Sequence, residues 1–295
     1  MQFWGTRIAV QDLRTRAFDM TSTTLADLPP LREVLAEHDL LANKSFGQHF
    51  LLDLNITRKI ARLSEVGEGD VVIEVGPGPG GLTRALLETG ARVVAVEMDK
   101  RFIPLLEELA AAAEGRLTIV QGDALKVDMA AIAGGPAHMV SNLPYNVGTP
   151  LLINWLTGPF RPLSMTLMFQ KEVADRIAAD VDDDAYGRLA VVSQTVCSAK
   201  VVMDLPARAF TPPPKVASAV VRLVPLEPAP DKAMVAALEK VTAAAFGQRR
   251  KMLRSSLKGL GGAALCEKAG INPDARAETI DVAGFQDLAR AVMAG

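Results

Sequence analysis

A single turn constrains this chain more than any other feature. The string EVGPGPGG, beginning at Glu74, closes a short apolar run and opens a stretch with helical spacing, so the backbone must reverse there with no side chains in its way. Around it the sequence alternates. Val71 to Val75, Val93 to Val96, Leu117 to Val120, Met139 to Ser141 and Met165 to Phe169 read as short, nearly continuous apolar strands, the character of parallel strands buried on both faces. A short helix from about Asn55 to Ser64 precedes them, and helical stretches at Gly81 to Thr89, Arg101 to Ala113, Pro150 to Leu156 and Lys171 to Ala179 separate them. The pattern predicts an α/β fold, an open, doubly wound, Rossmann-like sheet. From Ala217 to Val224 the spacing changes to alternation, which predicts a late antiparallel strand.

Pro225, Pro228 and Pro230 then punctuate a linker, and the remaining sequence reads only as helices, the last of them, Val282 to Met293, opened by Asp281 as a cap. A boundary is expected near residue 228, giving a sheet domain over 31–227 and a small all-helical domain over 228–295. Residues 1–30 are expected to form an extension, with Met1 to Asp19 a mobile tail or an upstream start artefact and little function in it.

With 49% apolar residues among 295, a full core presents no difficulty. No window approaches the roughly 18 uncharged apolar residues of a membrane span, and Arg7, Asp12, Arg14 and Arg16 interrupt any secretory apolar region. A soluble, cytoplasmic protein without membrane association is expected. Cys197 and Cys266 are too few and too isolated for a disulfide framework, and His38, His49 and His138 share no ligand spacing, so no metal is expected. A net charge of −2 excludes wholesale coating of nucleic acid but not a local basic face. Such a run exists: Arg249, Arg250, Lys251, Arg254 and Lys258 fall in a stretch without a single acid from Val241 to Cys266. It reads either as a solvated helix face or as a phosphate-contacting stripe, in which Arg250, Arg254 and Lys258 recur at i, i+4 and i+8.

The glycine turn is ambiguous by itself. Gly76, Gly78 and Gly80 suit any adenosine-bearing cofactor, and Gly76, Gly78 and Gly81 also satisfy the dinucleotide pattern. Glu97, 21 residues beyond Gly76, stands where a carboxylate accepts two ribose hydroxyls, again for either cofactor. Asp123 helps to discriminate, although by itself it could merely cap the helix that follows. Placed at the end of the third strand, it suits an adenine amine, and with Glu74 and Glu97 it creates a field that disfavours a pyrophosphate and tolerates a sulfonium. The fourth strand ends in NLPY. An amide oxygen of Asn142 and the carbonyl of Leu143 can accept the two protons of an exocyclic amine, Pro144 fixes the backbone, and Tyr145 offers a stacking face. Phe210, in the proline-stiffened AFTPPPKV, is either a second stacking face or an ordinary core residue. A nicotinamide-dependent oxidoreductase and an RNA-binding assembly factor without turnover are the rival readings.

In their order, KSFGQHFL, EVGPGPGG, VAVEMD, QGDA, NLPYN, QKEV, AYGRL, FTPPPKVASAVVRL and FGQRRKMLRSSL resemble the motifs of the small-subunit ribosomal RNA adenine dimethyltransferases, kin to the macrolide-resistance methylases. The resemblance runs from about Lys44 nearly to the C-terminus. It implies a class I methyltransferase sheet and an S-adenosylmethionine-dependent enzyme, a monomer, that dimethylates two neighbouring adenines in the 3′-terminal hairpin of 16S rRNA in the immature small subunit. By matching positions it implies that His49, Leu51, Gly76, Gly78, Glu97, Asp123 and Asn142 bind the cofactor. Tyr145 and Phe210 would sandwich the flipped base beside Asn142, Leu143 and Pro144, and the helical domain with Arg249, Arg250, Lys251, Arg254 and Lys258 would grip RNA.

Overall fold

The computed structural model describes residues 24–38, 40, 49–248 and 250–295. Its centre is a seven-stranded sheet built from β2 (Val71–Val75), β3 (Arg92–Glu97), β4 (Leu117–Gln121), β5 (His138–Asn142), β6 (Met165–Gln170), β7 (Cys197–Leu205) and β9 (Ser218–Pro225). The order is β4-β3-β2-β5-β6-β9-β7, with β9 antiparallel to both of its neighbours and the other pairings parallel. The five expected strands form within a residue or two of their predicted ends. Val-rich runs such as Val71 to Val75 suit them, because β-branched side chains pack well on a pleated surface covered from both sides. The late antiparallel strand is present too, as an interior strand.

Helices cover both faces. α2 (Leu54–Ser64), α3 (Gly81–Leu87), α4 (Ile103–Ala112), α6 (Gly148–Thr157) and α7 (Lys171–Ala178) fall where periodicity places them. Sequence reading passed over α5 (Met129–Ala133), α8 (Arg188–Val196) and β7. It also passed over a two-residue ladder between β1 (Phe50–Leu51) and β8 (Phe210–Thr211), in which Phe50 pairs with Thr211 and Leu51 with Phe210.

The expected mobile extension is corrected for its last part. Leu25 and Leu28 pack against the core, and the guanidinium of Arg84, itself buried in α3, donates to the carbonyls of Leu28 and Pro29 at 3.2 Å each. α1 (Leu31–Glu37) then lays Leu31 on Gly81 and Val34 and Leu35 beside Phe102 and Leu106. Residues 1–23, including the expected tail, lie outside the described residues.

The linker after β9 is where prolines place it, but the core does not stop there. One cluster of buried side chains joins Ile73, Met139 and Leu167 of the sheet, Val191 and Val192 of α8, Val235, Leu238 and Val241 of α9 (Lys232–Phe246), and Phe285 and Leu288 of α12 (Val282–Met293). The Tyr186 hydroxyl donates across the boundary to the carbonyl of Ile280 at 2.9 Å. Among the described residues no helix is long and apolar enough to cross a membrane.

Candidate active site

The sheet opens where its strand order reverses. β2 pairs with β3 along five residues but with β5 only at Val72–His138 and Ile73–Met139, after which the two strands part. Beyond that point the Val75 N–H has no ladder partner and donates instead to the Ser141 hydroxyl at 2.9 Å, so the splayed ends stay satisfied while a crevice forms between them. Crevices of this kind, at the carboxyl ends of the strands, are where doubly wound sheets take ligands.

The glycine turn forms one wall. Gly78 has φ +53°, and a Cβ there would lie 3.3 Å from the Phe50 ring; Gly81 presses so closely on β1 that a Cβ would stand 2.8 Å from the Leu51 carbonyl. Only glycine fits at Gly81, which explains a residue that also satisfied the dinucleotide pattern: it is used for packing. The cleft has about 1140 Å³ of empty space counted to its open mouth. His49, Leu51, Gly76, Gly78, Glu97, Asp123, Asn142, Leu143, Pro144 and Tyr145 all line it.

The three acids converge as expected. Both Glu97 oxygens accept backbone N–H groups, Oε2 from Gly78 at 3.0 Å and Oε1 from Asp99 at 2.7 Å, which fixes the carboxylate at the end of β3. Burial raises its pKa in spite of those bonds. Glu74 is fully buried, and burial, reinforced by the nearby Glu97 charge, pushes its pKa up to about 8. Its Oε2 has no hydrogen-bond partner. An orphaned acid at the floor of a pocket fits a ligand that brings positive charge. Asp123 does two things, since its Oδ1 also accepts from the Leu125 N–H at 3.0 Å and so shapes the turn after β4. Met98 and Leu125, exposed apolar side chains, line the cleft beside it and give it flat apolar walls. Sequence reasoning missed them, although a large apolar residue one or two positions after an acid at a strand end is a usable signal.

On the acceptor side, a Cβ on Gly76 would lie 3.4 Å from Cδ of Pro144, so the cofactor turn and the NLPY corner touch. Asn142 donates from Nδ2 to the His49 carbonyl at 3.3 Å. That leaves Oδ1 as the atom available to an amine. His49 in turn bonds the Pro212 carbonyl through Nδ1 at 2.8 Å, and its ring lies 5.5 Å from that of Tyr145. Phe210 stands apart from the cleft lining. It is only 3% exposed and packs with Leu205 and Val220. Pairing of β8 with β1 sets it opposite Leu51, and its side chain packs into the core.

The basic run is not one helical stripe. α9 ends at Phe246, residues 247, 248 and 250 turn, and Met252 bridges to Arg276 before α10 (Leu253–Ser256), a short 3-10 turn at Lys258–Leu260 and α11 (Gly262–Lys268). At the start of α10 the Leu253 and Arg254 N–H groups bond the carbonyls of Ala275 and Pro273, which ties this segment to residues 273–276. Arg250, Lys251, Arg254 and Lys258 are exposed, Arg254 is held by Asp274 at 2.8 Å, and Arg249 lies outside the described residues, as do Lys44 to Gln48. Among the described residues, no group of three His, Cys, Asp or Glu side chains could hold a metal.

A parallel sheet parted at its switch point, a glycine turn, and acids at the ends of successive strands define a class I methyltransferase, a fold that takes its methyl group from S-adenosylmethionine. The chain belongs to the ribosomal RNA adenine dimethylase family, whose model matches residues 40–293. It is thus an rRNA adenine dimethyltransferase. It is 79% identical over 255 residues to ribosomal RNA small subunit methyltransferase A of Caulobacter vibrioides, covering 86% of this chain and 99% of that one. To the protein of the same name from Phenylobacterium zucineum it is 70% identical over 272 residues, 92% of this chain and 95% of the other. A dimethyladenosine transferase crystal structure from Plasmodium falciparum superposes with a TM-score of 0.68 at 26% identity, over 81% of this chain and 96% of that one. The oxidoreductase reading of the turn falls with this result.

Proposed function

We propose that the protein places two methyl groups on each of two neighbouring adenines in the 3′-terminal hairpin of 16S rRNA, acting in the cytoplasm as a monomer on the immature small subunit late in its assembly. The observation that carries the reading is the contact between the glycine turn and the NLPY corner, which puts donor and acceptor groups in one cleft. An adenine amine is a weak nucleophile, because its lone pair is delocalised into the ring. Asn142 Oδ1 and the Leu143 carbonyl accept hydrogen bonds from its N–H groups and turn that lone pair toward the donor. S-adenosylmethionine, when bound, would supply the methyl group and leave as a neutral thioether, while the methylated amine gives up one N–H proton to solvent. Glu97 and Asp123 hold the donor's ribose and adenine, and Glu74 compensates its positive charge. Orientation of this kind, rather than a strong base, accounts for most of the acceleration.

The base must leave its stack to reach the cleft, which costs least at unpaired loop positions. Arg249, Arg250, Lys251, Arg254 and Lys258 contact phosphates in this reading and fix the hairpin rather than read its sequence. The names of the bacterial relatives favour the small subunit. Incubating unmethylated small subunits, and separately large subunits, with isotope-labelled donor and analysing the digested RNA by mass tests the proposal. Dimethyladenosine at two adjacent positions of the small-subunit hairpin is expected. Label confined to large-subunit RNA, or to a base other than adenine, overturns it.

A further inference from the structure

We propose that Ser218 is a positioning residue for the methyl acceptor, holding Tyr145 by its phenol so that the ring face, and not its edge, meets the inserted base. The inference rests on the adenine-methylation reading of the cleft and extends it to a residue outside the cleft lining. Ser218 begins β9 and is wholly buried, paired with Gln170 of β6 on one side and Leu205 of β7 on the other. Its Oγ is therefore set by two ladders and cannot follow Tyr145 if that side chain moves. The Tyr145 hydroxyl lies 2.6 Å from it.

Tyr145 is thus held at both ends. Pro144 packs on Gly76 at the backbone, and Ser218 holds the phenol at the far tip. The His49 ring lies 5.5 Å from it, tilted by 31°. A tyrosine free at its tip would swing about χ1 and lose stacking each time it did so, whereas a tethered ring is already oriented when the base arrives. The tether also removes the phenol from acid–base work. Burial raises its pKa, and its oxygen is turned to the sheet.

The test measures steady-state methylation of small subunits, donor affinity by calorimetry, and the fluorescence of RNA carrying 2-aminopurine at the target position. Ser218→Ala and Tyr145→Phe each remove the same hydrogen bond, one from the buried side and one from the partly exposed side, so the second serves if the first fails to fold. Each is expected to lower kcat about tenfold and weaken quenching of the inserted 2-aminopurine, with donor affinity unchanged. The double variant is expected to be no worse than either single one. Wild-type kcat in both single variants, losses that multiply, or a parallel loss of donor affinity overturns the proposal. Tyr145→Ala separates the two levels: if it is inactive while Ser218→Ala and Tyr145→Phe are fully active, only the tether falls; if it too is fully active, the reading of the acceptor corner falls with it.

Discussion

In the proposed mechanism Asn142 concentrates the chemistry of the acceptor side in one amide. Because Nδ2 is committed to the His49 carbonyl, the orientation of Oδ1 is decided before any base arrives. Asn142→Ala should lower kcat on the order of 10²- to 10³-fold, the cost of removing one preorganised hydrogen-bonding group from a transition state, with donor affinity by calorimetry nearly unchanged. Full activity in that variant would remove the clamp from the mechanism. In the same proposed mechanism Glu74 governs the donor side through its proton. With a pKa of about 8 in the ligand-free protein, it is mostly protonated at neutral pH, and a cationic ligand draws it to the carboxylate. Binding then releases a proton, so donor affinity should rise with pH by up to about tenfold per unit below that value and level off above it. The same raised pKa works against the ligand-free fold: from about 4.5 to about 8 an unfolded Glu74 ionises while the buried one does not, so stability falls as pH rises. Glu74→Gln should flatten the affinity profile in calorimetric titrations between pH 6 and 9; an unchanged slope would assign the proton to another group.

At the scale of elements, the sequence makes legible what local chemistry decides. β2 to β6, the glycine turn and the acids at strand ends are each written in a short window of β-branched, glycine or acidic residues. α8 and β7 are not. Val196 ends the helix and Cys197 begins the strand with no glycine or proline between them, and Val191, Val192 and Val196 favour strand where the tertiary structure imposes helix. Phe210 and the β1–β8 ladder were illegible for another reason, since their pairing is set by residues some 160 positions apart. The basic run misled through its own regularity: i, i+4 spacing holds only while the helix continues, and α9 ends at Phe246 while the segment that follows is tied to residues 273–276. The RNA-contact prediction shifts accordingly toward side chains not held by an acid. Replacing Arg250 and Lys258 by Ala should weaken small-subunit RNA binding and reduce the slope of log affinity against log salt by about 0.7–0.9 for each phosphate no longer neutralised, measured by filter binding. Arg254→Ala should change it less, because Asp274 already offsets that charge. An unchanged slope in the Arg250, Lys258 double variant excludes these residues as phosphate contacts.

For the molecule as a whole, the prolines after β9 predict a hinge between two bodies, whereas the buried side chains predict one. Leu238 of α9 is wholly buried in the cluster that also holds Ile73 and Met139, beneath the cofactor cleft. A core shared in this way couples the two parts, because exposing either half of it leaves the other with an apolar face in water. Leu238→Ala should therefore cost about 2–5 kcal/mol and lower the melting temperature of the entire chain. In scanning calorimetry, wild type and variant should each give one transition with equal calorimetric and van't Hoff enthalpies. Saturating S-adenosylmethionine should move that transition upward as a unit, since a ligand stabilises whatever unfolds together with its site. Two peaks, only one of them moved by the donor and only the other by Leu238→Ala, would establish instead that the helices after residue 228 melt independently and that the shared core is a contact between domains.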